Sequence, residues 1–230
     1  MRLALAVSLA FSLSASAQAL KTDDEKSLYA IGYLVGSRNF APLSLKANEL
    51  EIVKRGLSDG ATGKKAQVEP ESQMEKINAF AQARSSAGAD KEKVAGREYA
   101  EKAAKEPGAS KLPSGVVYKT VTPGNGPSPA ATDKVKVNYE GRLTNGTVFD
   151  SSYKRGQPAE FGLNQVIKCW TEGVQKMKVG EKARLVCPSD IAYGDHGHPP
   201  TIPGGATLVF DVELLGISPK EPTPAPAPAK

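Results

Sequence analysis

Apolar positions change their spacing partway along this chain. Leu28, Ile31 and Val35 recur at i, i+3 and i+7, one stripe of an amphipathic helix. Ahead of them, Thr22-Asp23-Asp24-Glu25 reads as a capping box, with Thr22 as N-cap and Glu25 reaching back to its free amide. Gly32 and Gly36 lie on a neighbouring line and permit close approach of another helix. A second stripe, Leu50, Val53 and Leu57, stops at Asp59-Gly60. A third begins at Pro70, a good first-turn residue, and carries Met74, Ile77 and Ala81. It can run on through the Ala-, Glu- and Lys-rich stretch Lys91 to Lys105. Gly88 and Gly96 leave that continuity open, since each costs about 1 kcal/mol against alanine in a helix interior. The apolar face there is thin, which predicts a solvated arm. Residues 20–106 thus read as helical throughout. The first two helices are too short to bury a core alone. They pack either on the rest of the chain or, the reading favoured here, on a second copy.

At Pro107-Gly108 the pattern switches. Val135-x-Val137-x-Tyr139 and Leu208-x-Phe210-x-Val212-x-Leu214 alternate with period two, and Gly115 to Val121 and Ala183 to Cys187 are further strands. Between them, Thr171 to Met177 predicts one short helix, with Trp170 at its entrance and Gly180 beyond its end. Pro123-Gly124-Asn125-Gly126, Asn145-Gly146 and Pro203-Gly204-Gly205 mark turns, and Asn145-Gly146 is a strong hairpin signal. Several antiparallel strands with a single helix make an α+β domain over residues 107–217. The Pro/Ala-rich tail, residues 218–230, is expected to be extended and unstructured.

The amino terminus adds a compartment. Met1-Arg2 opens with positive charge, Leu3 to Leu13 is an apolar run too short to cross a bilayer, and Ala17-Gln18-Ala19 is a small-x-small signal. Residues 1–19 therefore read as a secretory signal peptide, with cleavage after Ala19 or, alternatively, after Ala17. The mature protein is expected outside the cytoplasm. A Gram-negative periplasm fits best, with outer-membrane association or release as the other destinations.

Charge excludes a nucleic-acid reading. Residues 20–111 hold 16 basic against 14 acidic side chains, and residues 112–230 hold 13 against 11, with no basic block in either. Two cysteines, Cys169 and Cys187, are a candidate disulfide in an oxidising compartment; two buried free thiols are the alternative. His196-x-His198, on a Gly/Pro-rich loop, is a weak metal signal, so no metal site is assigned.

The second region holds no GxSxG elbow, no HExxH and no phosphate-cradling loop. What it concentrates is aromatic: Tyr139, Phe149, Tyr153, Phe161, Trp170, Tyr193 and Phe210. Each one read singly is core. Tyrosines, a tryptophan and an adjacent Asp150 fit a sealed core less well, because each needs a polar partner.

The motifs resemble the FKBP-type peptidyl-prolyl cis-trans isomerases. The strings are Val135-Lys-Val-Asn-Tyr-Glu-Gly141, Gly146-Thr-Val-Phe-Asp-Ser-Ser152, Trp170-Thr-Glu-Gly173 and Met177-Lys-Val-Gly180. The match continues through Ala192-Tyr-Gly194, Gly197-His-Pro199, Ile202-Pro203 and Ala206-Thr-Leu-Val-Phe-Asp-Val-Glu-Leu-Leu215. They cover nearly all of residues 112–217 in the family's order. The helical half, with Tyr29-Ala30-Ile31-Gly32, resembles the amino-terminal dimerisation domain of the exported Mip-like and FkpA-like members.

The resemblance implies an antiparallel half-barrel sheet wrapped around the helix, with an apolar pocket between them. Trp170 would be its floor, and Tyr139, Phe149, Phe161, Val166, Ile167 and Phe210 its walls. Asp150 and Tyr193 would be its polar contacts, Arg155 a charged partner of Asp150, and His198 and Ile202 part of a flap. Proline-containing polypeptides would be substrates, macrolide immunophilin ligands inhibitors, a homodimer the assembly, and no cofactor is implied. Ala159 stands where many members carry an aromatic, and Cys169 replaces a usual glycine. Two function classes follow: a prolyl isomerase assisting the folding of exported proteins, or a chaperone or binding module using the same pocket without turnover.

Overall fold

A computed structural model describes residues 19–218. The expectations for the leader, all but its last residue, and for the tail beyond Ser218 lie outside the described residues.

Helix α1 (Asp23–Val35) opens on the capping box: the Thr22 hydroxyl accepts from the Glu25 amide at 3.1 Å, and the Glu25 carboxylate from the Thr22 amide at 3.0 Å. The chain continues through a π-helical turn (Gly36–Phe40) and a 3₁₀ turn (Ala41–Leu43) into helix α2 (Ala47–Ala61). Neither helix contains a buried residue.

Helix α3 (Met74–Ala104) settles one open point and corrects one expectation. Gly88 and Gly96 do not interrupt it, and its second half is not a solvated arm. Ala89, Gly96, Ala100 and Ala103 are buried, with Ala100 and Ala103 packed on Val117, Val186 and Val209 of the sheet. The small residues that make the apolar stripe look thin are the packing surface. A Cβ on Gly96 would land on the Thr207 hydroxyl, so close packing offsets glycine's cost in helix propensity. Lys93, one turn earlier, pairs with Asp195.

The sheet comprises β1 (Ala109–Lys111), β2 (Val117–Thr122), β3 (Lys134–Leu143), β4 (Val148–Ser151), β5 (Ala159–Gly162), β6 (Lys182–Cys187) and β7 (Leu208–Ser218). All pairings are antiparallel, in the order β1-β2-β6-β7-β3-β4, with β5 pairing the first half of β3 and β4 its second. Together with the helices this is an α+β fold. Strands β1 and β5 are too short to alternate and were not legible as strands. The β3–β4 turn places Gly146 at φ 87°, the left-handed region that glycine enters without cost.

Helix α4 (Lys168–Lys176) lies on the sheet and begins earlier than predicted, so Trp170 sits in its first turn. Its face meets Val135, Val137, Leu185, Phe210 and Val212 in one core. At Gly173 an added Cβ would come within 2.8 Å of Leu185 Cδ1, so glycine allows the helix to approach. Beside this core, buried Glu181 accepts from Tyr118, from Thr120 at 2.8 Å and from the Lys178 amide at 3.0 Å. Burial and this carboxylate push the Tyr118 hydroxyl well above the ordinary tyrosine range. Among the described residues, no helix is long and apolar enough to cross a membrane.

Candidate active site

Where β3, β4 and β5 curl toward the start of α4, a cleft of about 480 Å³ opens. It is lined by Tyr139, Phe149, Asp150, Phe161, Gln165, Val166, Ile167, Trp170, Tyr193 and Phe210. The alternation of β3 points Tyr139 inward beside Val135 and Val137, and β7 does the same for Phe210. Strand β4 delivers Phe149 and Asp150, and β5 delivers Phe161. Gly141 opposite Asp150 is obligatory: a Cβ there would stand 2.7 Å from Phe149 Cζ and 2.8 Å from Phe210 Cε1.

The rings interlock edge to face. Trp170 meets Tyr139, Phe210 and Phe161 at centroid separations of 5.2, 5.3 and 5.6 Å, and Phe149 meets Phe210 at 5.6 Å. Such pairs are worth about 0.5–1.5 kcal/mol beyond their burial and hold the walls rigid. Trp170 forms the floor, only 4% exposed.

Asp150 is the one carboxylate in the cleft, and it is fully engaged. Tyr139 donates its hydroxyl proton to Oδ2, Arg155 Nη1 donates to Oδ1, and Arg155 Nη2 donates to the Tyr139 oxygen at 2.9 Å. The guanidinium also lies 5.4 Å above the Tyr139 ring. Burial pushes the Asp150 carboxyl up, but these two donors outweigh it and hold it below the usual carboxylate range. Burial, and then Asp150, push the Tyr139 hydroxyl up. The triad is therefore locked as carboxylate, neutral phenol and guanidinium at neutral pH, with no proton poised to leave.

At the cleft, three donors have no partner among the described residues. Trp170 Nε1 is buried without one. The Tyr193 hydroxyl, on a half-exposed ring, makes no hydrogen bond, and neither does the Ile167 amide at the N-cap of α4. The cleft thus offers apolar walls and uncommitted donors, the requirements of an apolar group flanked by carbonyls.

His198 and Ile202 are not part of the cleft wall. They pair with each other across the loop, where His198 faces Tyr193 with ring centroids 5.7 Å apart. Ile202 is buried and lines a second groove of about 270 Å³, between α3, the 41–44 turn and the 196–204 loop. Arg155 stands at the rim, acting through Asp150 and Tyr139. Cys169 and Cys187 form a disulfide with Cα atoms 5.7 Å apart, tying the first turn of α4 to the end of β6 beside the floor tryptophan. Sequence reasoning missed Gln165, which carries no motif, and Ser152, whose buried hydroxyl accepts from the Tyr139 amide at 2.9 Å.

This geometry has close parallels. The family model described as FKBP-type peptidyl-prolyl cis-trans isomerase matches residues 126–215, and that of the domain amino-terminal to it matches residues 24–120. The FKBP-type peptidyl-prolyl cis-trans isomerase FkpA of Aeromonas hydrophila is 43% identical over 210 residues, covering 86% of this chain and 77% of that protein. The chain belongs to the FKBP-type peptidyl-prolyl cis-trans isomerases. The peptidyl-prolyl cis-trans isomerase Mip of Coxiella burnetii is 37% identical over 89% of this chain and 91% of its own. The crystal structure of FkpA from Escherichia coli superposes with a TM-score of 0.65 at 40% identity, covering 87% of this chain and 99% of that one. The enzyme therefore acts on Xaa-Pro peptide bonds, and the aromatic cleft is its candidate active site.

Proposed function

We propose that isomerisation takes place over Trp170, with Tyr139, Phe149, Phe161, Val166, Ile167 and Phe210 enclosing the proline ring. The Tyr193 hydroxyl and the Ile167 amide donate to the carbonyls flanking it. An Xaa-Pro bond prefers trans by only about 0.5–1 kcal/mol, yet crosses a barrier of roughly 18–20 kcal/mol set by amide resonance. At the twisted transition state that resonance is lost and the carbonyl oxygen depends less on water. A water-poor aromatic cavity therefore disfavours the planar ground state relative to the twisted one. No bond is made or broken, so no nucleophile or general base is needed. Asp150, held ionised by Tyr139 and Arg155, supplies a fixed negative charge at the cleft edge and keeps the Tyr139 ring in place. The observation that carries this reading is the unpartnered Tyr193 hydroxyl and Ile167 amide standing beside the aromatic walls of the cleft.

Around this site we place residues 1–19 as a leader, 20–106 as a helical dimerisation region, 107–217 as the isomerase domain and 218–230 as a Pro/Ala-rich tail, whose first residue, Ser218, still closes β7. The dimer is supported by apolar side chains with nothing over them: Leu28, Tyr29, Ile31 and Tyr33 on α1 are each 60% exposed or more. Export, to the periplasm of a Gram-negative bacterium, is supported by the leader pattern and agrees with the disulfide. Clients are then proline-containing exported polypeptides, and the exposed helical surface is where chaperone activity without turnover would reside. Macrolide immunophilin ligands are proposed to compete for the cleft.

The test is cis-to-trans isomerisation of a short Xaa-Pro peptide by residues 20–230, with and without a macrolide. Macrolide-sensitive acceleration that drops on Asp150→Leu is the expected result. Unchanged rates in that folded variant would remove the cleft from the chemistry.

A further inference from the structure

Strand β7 carries the cleft residue Phe210 near one end and Ser218 at the other. Ser218 pairs with Lys134 of β3, whose partner on the opposite side is Gly162 of β5. Gly162 follows the cleft residue Phe161 and leads into Gln165, Val166 and Ile167 on the cleft rim. The chain thus leaves the sheet two strand spacings, about 10 Å, from the segment that builds one wall of the active site. Residues 219–230 follow, reading Pro-Lys-Glu-Pro-Thr-Pro-Ala-Pro-Ala-Pro-Ala-Lys, with five prolines.

From Ser218 back to the level of Phe210 is about 26 Å at roughly 3.3 Å per strand residue. A proline-rich chain at about 3.1 Å per residue covers that span in about eight to ten residues, so the tail is long enough for Pro226 or Pro228 to reach the cleft. Each is preceded by alanine, a side chain small enough to place no demand on the cleft edge.

We infer that the tail is an intramolecular ligand and substrate of this enzyme's own cleft, with the Ala225-Pro226 and Ala227-Pro228 bonds isomerised in place. The inference rests on the function proposed above. The seated proline ring lies over Trp170, and the carbonyls beside it take the Tyr193 and Ile167 donors. Isomerisation only rotates the imide, so nothing is consumed. Because the ligand is tethered, its effective concentration is of millimolar order. The tail therefore competes with weakly bound external peptides and raises their apparent KM while leaving kcat unchanged. Tightly held clients displace it.

Exchange spectroscopy on isotope-labelled residues 20–230 reads the tail bonds directly. The reference is the free peptide of residues 219–230, whose Xaa-Pro bonds exchange over tens to hundreds of seconds. The expected result is at least 100-fold faster exchange at Pro226 or Pro228. It should be independent of protein concentration and slowed to the reference by saturating external Xaa-Pro peptide. In steady state, Pro222, Pro224, Pro226 and Pro228 changed together to alanine should lower KM at least two-fold with kcat unaltered.

Peptide turnover alongside a tail exchanging at the reference rate overturns this inference and leaves the proposed function standing. Acceleration that scales with protein concentration overturns it too, since a neighbouring molecule's cleft is then responsible. Acceleration of neither tail nor peptide defeats the proposed function and the inference together.

Discussion

Residues 23–61 form two helices, the first opened by a full capping box, in which no side chain is buried, whereas residues 109–218 drive Val116, Val135, Val137, Leu163, Val174, Leu185 and Leu208 to zero exposure. Both regions follow their periodicity faithfully. The difference is that the sheet region closes its apolar face upon itself, around α4, while the stripe of α1 has no counterpart among the described residues. Helical propensity and capping together supply about a kilocalorie per feature and do not stabilise short helices alone in water. The candidate active site stands entirely in the self-sufficient region. The helical region leaves its α1 stripe exposed among the described residues and touches the isomerase fold through α3, where small residues dock on β2, β6 and β7.

Substitutions should separate the two regions, beginning with the largest effect. Leu185→Ala removes a fully buried side chain between the sheet and α4, and should cost about 2–5 kcal/mol by chemical denaturation. Leu57→Ala in α2, a half-exposed site, should stay within about 0.5 kcal/mol at concentrations where the chain is monomeric. Equal losses at the two sites would erase the comparison.

Reducing the Cys169–Cys187 disulfide, which closes a loop of 18 residues, should lower stability by about 2–4 kcal/mol. The loss should fall on the sheet transition in a melting experiment. Alkylation without reductant should add no mass, and two added groups would contradict the pairing. Next in size is Gly96→Ala. The forced contact with Thr207 should cost about 1–3 kcal/mol and loosen α3 from the sheet, read as faster amide exchange at Ala100 and Ala103.

Tyr193→Phe removes one uncommitted hydroxyl from a site that needs it only with substrate. Stability should be unchanged, and kcat/KM should fall by about 3–10-fold, the equivalent of a single hydrogen bond. Smallest of all is the pH response. The Asp150 carboxyl titrates below its unfolded value, so its contribution is complete above about pH 4 and is lost only as pH falls through the lower folded value. Peptide kcat/KM, corrected for substrate, should therefore be flat from pH 8 to about pH 5. A descending limb near neutrality would mean that Asp150 is not held by Tyr139 and Arg155 as described.

Much of the site was legible through the family resemblance, which named the walls as a set with Val166 and Ile167 among them, and some members carry a signal of their own. Tyr139 and Phe210 belong to period-two strands, Trp170 sits at a predicted helix entrance, and Asp150 follows a hairpin turn. Gln165 was not legible, since a loop residue gains its place only when β5 and α4 are both built. The exact placement of His198 and Ile202 was not legible for a related reason. Their place in a motif said which loop they share, but not that the loop turns Ile202 toward α3 and away from the cleft. Strands β1 and β5 are too short for alternation to register. The docking of α3 was hidden because alanine and glycine read as weak hydrophobicity in a periodicity count, while in packing they are what lets backbones meet.

One chain is proposed to hold a complete active site, with the second copy serving only the helical region. Leu28→Glu with Ile31→Glu separates these roles when sedimentation and Xaa-Pro peptide turnover are followed on the same samples. Unaltered residues 20–230 should sediment as a dimer at micromolar concentration and the variant as a monomer, with kcat/KM per chain unchanged within two-fold. A monomeric variant whose activity collapses would contradict the account, as would unaltered protein that sediments as a monomer.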